Sequence, residues 1–207
     1  MAIVVTSKGT AQDKSAGTVV LAATFSVGDA VIVKYAGDSA TNNIQLRKAG
    51  GVVVRQNGAA VDYDILANNA GNVVAGIMSF LNLTSQEATD IIDVAWNGSA
   101  GAKTIAVYGV SGLLTTAAKD KTVSATGASA NARDSGATAT LAQADELVVG
   151  CVGYEGPDGD VAGTLTTGDN YASDNNQRLG TTGGGAASIP GPSHSAPLRR
   201  GEGLPRA

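Results

Sequence analysis

The chain is poor in the residues that carry out chemistry. Its 207 residues include one cysteine, one histidine and one tryptophan, with aromatics at 4% and charged residues at 15%. A single cysteine, Cys151, excludes an intrachain disulfide. The single histidine, His194, lies in a proline-rich stretch near the C-terminus, which removes histidine-based triads from the body and multi-histidine metal sites from the whole chain. No glycine-rich turn leads into an apolar-periodic helix. Even Gly180–Gly185 (GTTGGG) is followed by none, so nucleotide binding is not expected. The net charge is −4, and the only strong basic cluster is Arg199-Arg200 with Arg206, so nucleic acid is not an expected partner. No apolar run approaches the ~20 residues a membrane helix needs, so no membrane partner is expected either. The opening MAIVVTSKGT lacks the basic and long apolar regions of a signal peptide, which points to synthesis and assembly in a cytoplasm.

What is present favours sheets. Hydrophobic residues make up 43% of the chain and are mostly Ala, Val, Ile and Leu, small or β-branched side chains that suit closely packed strands. The low charge implies either a surface that meets other protein or an Ala/Gly/Thr/Ser-rich exterior. Residues 1–17 read as an N-terminal arm, with Ile3-Val4-Val5 a short strand-like piece. Strand-like runs then follow one another: Thr18–Phe25, Ala30–Tyr35 after the Val27–Asp29 turn, Ile44–Lys48, and Val52–Arg55 after Gly50-Gly51. Asn57-Gly58 is a hairpin signal, because both residues tolerate positive φ. Val61, Tyr63 and Ile65 alternate with Asp62 and Asp64 as a half-exposed strand, and residues 68–72 read as loop. Val73–Leu83 reads as strand rather than helix because Gly76 and the flanking turn residues interrupt a helical stripe. Residues 90–110 read as a hairpin turned by Asn97–Gly101 (NGSAG), with Trp96 filling the core.

Beyond Ser111 the composition turns low-complexity, with a short edge strand expected over Thr122–Ala125. Leu147–Tyr154 reads as one buried central strand, entered by a turn at Asp145-Glu146, and Val161–Thr167 as a further β-run. Residues 169–185 read as loop. Four of the five prolines (Pro190, Pro192, Pro197, Pro205) lie beyond Ile189, so residues 186–207 are expected to be a tail, either disordered or laid across a partner. Short β-runs with turns roughly every 8–12 residues and no strand–helix alternation predict an all-β protein, an antiparallel β-sandwich or jelly roll spanning residues 18–185, with an N-terminal arm and a proline-rich C-terminal tail.

Candidate chemistry is thin. Cys151 falls inside an apolar run and reads as a small buried hydrophobe rather than a nucleophile. Glu155, Asp158, Asp160, Asp169 and Asp174 form the most site-like cluster. An oxygen-rich loop can hold calcium, but Asp and Gly are equally the residues of ordinary turns. Asp62 and Asp64 on one strand face read as a solvated edge. Thr84–Glu87 has capping-box spacing, which fits a short helical turn, a β-bulge or a loop. No catalytic residue, metal ligand or cofactor is expected.

Three stretches carry a resemblance. Phe25–Tyr35 (FSVGDAVIVKY), Ile92–Leu113 (IDVAWNGSAGAKTIAVYGVSGL) and Asp134–Gly163 (DSGATATLAQADELVVGCVGYEGPDGDVAG) together resemble β-sandwich virion proteins of tailed bacteriophages and prophages. The resemblance implies a structural role, either capsid decoration or a tail-fibre or adsorption module, and it carries over no functional residues. It implies a location in the virion, assembly in the host cytoplasm, and partners that are the major capsid protein and further copies of the chain, as a homotrimer. Ile3, Val4 and Val5 are then the expected partner contacts. The chain departs from the family where the glycine-rich loop ends: further sheet is expected there, but Ser188–Ala207 is rich in proline and arginine.

Overall fold

A computed structural model of the chain describes residues 2–13, 18–38, 43–48, 51–56, 65–69, 73–85, 92–97, 103–126, 135–142, 146–154, 175–179, 185–189 and 193–194. Among these the regular structure is antiparallel β-sheet. The strands are β1 (Val4–Asp13), β2 (Val19–Ala23), β3 (Ala30–Asp38), β4 (Asn43–Lys48), β5 (Val52–Gln56), β6 (Ile65–Asn69), β7 (Val73–Phe80), β8 (Ile92–Asn97), β9 (Lys103–Ser111), β10 (Leu147–Val148), β11 (Val152–Tyr154), β12 (Asn175–Leu179), β13 (Gly185–Ile189) and β14 (Ser193–His194). A five-stranded sheet has the order β1-β9-β3-β7-β6, and a four-stranded sheet has the order β2-β8-β4-β5.

Alternation along the strands gives the large sheet two buried faces. In β3, Val31, Val33 and Tyr35 join Val107, Ile105, Met78 and Phe80 in one cluster with Val19, Ile44, Leu46 and Val94 of the smaller sheet. That cluster is the main core and lies between the two sheets. The other face carries smaller side chains, Ala30, Ile32, Ala106, Tyr108 and Val110, with Ala36 and Ala75 beside them. Burial of both faces is why β3 and β9 read as nearly continuous apolar runs and not as alternating ones.

The second face is covered by the C-terminal part of the chain. Leu147, Val149 and Cys151 pack against it at every second position. At the next step Gly153 approaches so closely that a Cβ there would lie 3.1 Å from the Cβ of Ala75 and 3.2 Å from that of Ala36. A small sheet, β11-β13-β12, continues this cover over β7, β3 and β9, and β10 pairs with β14.

Local chemistry explains several junctions. Ser26–Asp29 closes a turn in which the Asp29 amide donates to the Ser26 carbonyl at 3.1 Å. Gly28 occupies its third position at φ +85°, as a type II turn requires. The same turn holds the chain just beyond β7, because the Gly28 amide donates to the Leu83 carbonyl at 2.7 Å. In the β3–β7 pair, Tyr35 stands opposite Gly76 and lays its ring across the space a side chain there would need.

The structure revises several sequence expectations. β8 and β9 are not a hairpin. β8 pairs with β2 and β4 in the small sheet, whereas β9 pairs with β1 and β3 in the large one. Turn residues mark a change of direction, but they do not say whether the chain folds back into its own sheet or crosses to the facing one. Leu147–Tyr154 is not a central strand: it is two short strands separated by residues 149–151, laid over a completed sheet. Residues 68 and 69 belong to β6, not a loop, and residues 175–179 form β12. Thr122–Ala125 forms no strand; the segment is largely exposed and has no sheet neighbour. Residues 186–189 and 193–194, expected in the tail, pair with β11, β12 and β10. The Asn57-Gly58 turn, Asp62, Asp64, Val161–Thr167 and the four tail prolines lie outside the described residues.

Candidate partner-binding edge

Ile3, Val4 and Val5 sit at the start of β1, which runs antiparallel to β9 along its whole length at one edge of the large sheet. The arm is therefore tied down as a strand. Its alternation separates the three residues. Ile3 and Val5 pack onto the second face of the sheet, while Val4 points outward with 53% of its surface exposed. Of the three, Val4 offers free apolar surface to a partner. Gly112 fixes the entry to this strand: it adopts φ +80°, and a side chain there would run into the Ala2 carbonyl.

The middle of β1 is blunted. Ser7 pairs with Tyr108 and Gly9 with Val107, so Lys8 is an extra residue in the ladder. Gly9, at φ +120°, takes a conformation that side-chain-bearing residues rarely adopt. Lys8 folds over Gly109, which leaves room for its stem, and its Nζ sits 5.3 Å from the centre of the Phe25 ring. A bulge and a lysine on an edge strand both discourage indiscriminate pairing with other chains. The opposite edge of the small sheet differs: on β5, Val52 is 61% exposed and Val53 43%. Arg55 anchors that strand through Nη1, which donates to the Leu81 carbonyl at 2.8 Å.

Lys34, Lys103 and Cys151 are built into the frame. Lys34 is fully buried on the covered face, with its Nζ 4.5 Å from the centre of the Tyr108 ring. Lys103 is buried at the register position opposite Asp13. Burial pulls its pKa down and Asp13 partly restores it. Cys151 donates through Sγ to the Tyr35 carbonyl at 3.4 Å, and burial pushes its thiol up to about 11 against the smaller opposing effect of Lys34. The packing expected of Cys151 is what the fold gives it, although at a gap between two strands and not within one. Asp120 accepts from Lys121 Nζ at 2.6 Å and from the Ala142 amide at 2.7 Å, which lowers its pKa and ties residues 113–126 to residues 135–142.

Sequence reasoning did not single out Lys34 or Lys103. For Lys34 the available signal was a lysine between apolar residues of a strand, Val33 and Tyr35; Lys103, which opens β9 beside Thr104, carried none. His194 lies in β14 opposite Leu147. The acidic cluster from Glu155 to Asp174 lies outside the described residues, and among the described ones no trio of His, Cys, Asp or Glu is grouped to hold a metal. No described helix is long and apolar enough to cross a membrane. Comparison with protein-family models, curated proteins and solved structures finds no match to this chain.

Proposed function

We propose that this chain is a virion structural protein of a tailed bacteriophage: a capsid decoration protein that braces the head by contacts from β1 and the exposed sheet edges. The observation that carries the reading is the strand order. Strands pass between the two sheets so that β1, β9, β3 and β7 lie on one and β2, β8, β4 and β5 on the other. This interleaving supports a jelly-roll sandwich, with β6 an added edge strand. Jelly rolls recur in viral capsid and lectin domains. The three sequence stretches that resemble phage virion proteins point the same way. In this reading the partners are the major capsid protein and further copies of the chain, as a homotrimer on the virion.

The mechanism is mechanical. Apolar positions on free edges, Val4 on β1 and Val52 and Val53 on β5, add buried surface at roughly 25 cal/mol per Å² before the cost of association. Deleting the arm is a poor test, because β1 completes the large sheet over β9. Val4→Asp leaves the sheet intact and places a charge on the outward face. Cosedimentation with purified heads of the phage that carries the gene should fall at least tenfold for this variant. Undiminished binding of a folded Val4→Asp protein overturns β1 as the contact, and failure of the unaltered protein to bind heads overturns the decoration reading.

The same strand order also serves carbohydrate-binding domains, so a tail-fibre or receptor-binding module is the second reading. Specificity would then reside in loops at one end of the sandwich. Strong hits on a glycan array, together with no binding to heads, select it.

A further inference from the structure

We infer that residues 113–126, on the connection between the large sheet and its cover, hold a processing site: an endopeptidase specific for basic residues cuts the native protein after Lys121, and the two products stay assembled. A peptide bond inside a strand is reached only when its ladder opens, whereas exposed irregular backbone is cut directly. Among the described residues, every lysine and arginine but two lies in a strand, on β1, β3, β4, β5, β9 or β12. The two are Lys119 and Lys121. Both are exposed, and residues 113–126 around them join no ladder. Lys119 precedes Asp120, whose charge an acidic specificity pocket repels, while Lys121 precedes the small, neutral Thr122. Lys121 Nζ rests on Asp120 at 2.6 Å, an exposed ion pair that is readily traded for the carboxylate of such a pocket. Hydrolysis adds water across the Lys121–Thr122 amide and leaves a carboxylate on Lys121 and an amine on Thr122.

The cut falls between sheets. β1–β9 precede it and form the two sheets of the sandwich, and β10–β14 follow it and pair, among the described residues, with one another. No ladder has to break. Packing joins the two parts: Leu147, Val149 and Cys151 lie on the second face, and Gly153 closes on Ala36 and Ala75. The new ends are also held, because one tie to residues 135–142 lies on each side of the cut. Before it, Asp120 accepts from the Ala142 amide at 2.7 Å. After it, Val123 Cγ2 stands 3.8 Å from where a Cβ on Gly136 would be. A connection this long without a strand of its own is uncommon inside a compact domain, and where it occurs it is commonly functional. The processing involves no phage head, so its outcome and that of the head-binding experiment are separate.

Trypsin is the probe. The full chain is digested under native conditions at low enzyme ratio, and the products are mapped by mass and run on native gel filtration. The expected first cut between β1 and β14 gives one fragment ending at Lys121 and one starting at Thr122. It should be at least ~100-fold faster than any cut inside a strand, at a rate that urea below the unfolding transition leaves unchanged. The fragments should elute together and part only in denaturing urea. Lys121→Gln, an exposed substitution, should slow this cut at least tenfold. A first cut between β1 and β14 at any other residue, Arg133 included, overturns Lys121 as the site, and so does a Lys121→Gln protein cut at the unaltered rate. A rate that climbs with urea from the start shows that unfolding exposes the bond and overturns a site in the native protein. Fragments that separate without urea overturn the assembled product.

Discussion

The cover over the large sheet makes the Cys151 thiol a gauge of its own burial. Thiols react as thiolates, so the rate of alkylation or disulfide exchange follows the ionised fraction. The structure places Sγ against the Tyr35 carbonyl and raises its pKa from an ordinary 9.0 to about 11. At pH 8 an ordinary thiol is about 10% ionised and this one about 0.1%, so folded protein should react roughly 100-fold more slowly than protein in concentrated urea. The same shift has a stability consequence, and its sign is fixed. The unfolded chain gives up this proton near pH 9 while the folded chain keeps it until about 11. Between those values the unfolded state binds fewer protons, and stability falls as pH rises. The fall amounts to at most about 3 kcal/mol, at ~1.36 kcal/mol per pKa unit. It should vanish in Cys151→Ala. The assay is stopped-flow labelling with a chromogenic disulfide from pH 7 to 11, paired with urea midpoints of both proteins. Equal labelling rates for folded and unfolded chains, or an inflection near 9 in the folded one, would refute burial of Sγ beneath the cover.

Other expectations follow from packing and charge. Gly76→Ala forces a methyl group against the Tyr35 ring and should cost about 1–3 kcal/mol in urea unfolding, as overpacked cores do. Phe80→Ala empties a nearly sealed site in the main core and should cost about 3–5 kcal/mol, large enough to unfold a marginal domain on warming. Because burial depresses the Lys103 pKa, the folded state sheds that proton first, and stability should rise with pH below 10.5. Asp13→Asn should steepen that rise and Lys103→Met should abolish it. Both are read from urea midpoints in a Cys151→Ala background, where the opposing thiol titration is absent.

The strands were more legible than their partners. β3, β7 and β9 announced themselves through β-branched and apolar runs, and the Ser26–Asp29 turn through its glycine. What the sequence hid was assignment to a sheet. Residues on either side of Asn97–Gly101 alternate equally well whether the chain folds back or crosses over, because each strand has buried neighbours in either arrangement. Residues 147–154 misled for a related reason. An apolar run with glycines fits a central strand, and it equally fits a segment lying flat on an alanine-lined face. Ile3 and Val5 were legible as apolar, but only the packing shows that they turn inward and leave Val4 outside. The buried lysines were hidden because a single cation in a strand ordinarily marks a solvated face.

The central place of β9 has a consequence for how the chain comes to fold. β1 and β3, which flank β9 in the large sheet, are both synthesised long before it, and each must wait for residues 103–111 before it finds that neighbour. The β4–β5 and β6–β7 hairpins can form early from nearby residues. Closure of the large sheet depends on pairings separated by most of the described body. Such non-local topologies fold in milliseconds to seconds, orders of magnitude more slowly than helical bundles of similar size. During that interval β1 is a valine-led segment still without its β9 neighbour. The charge of Lys8, within that segment, then discourages stray pairing before β9 arrives.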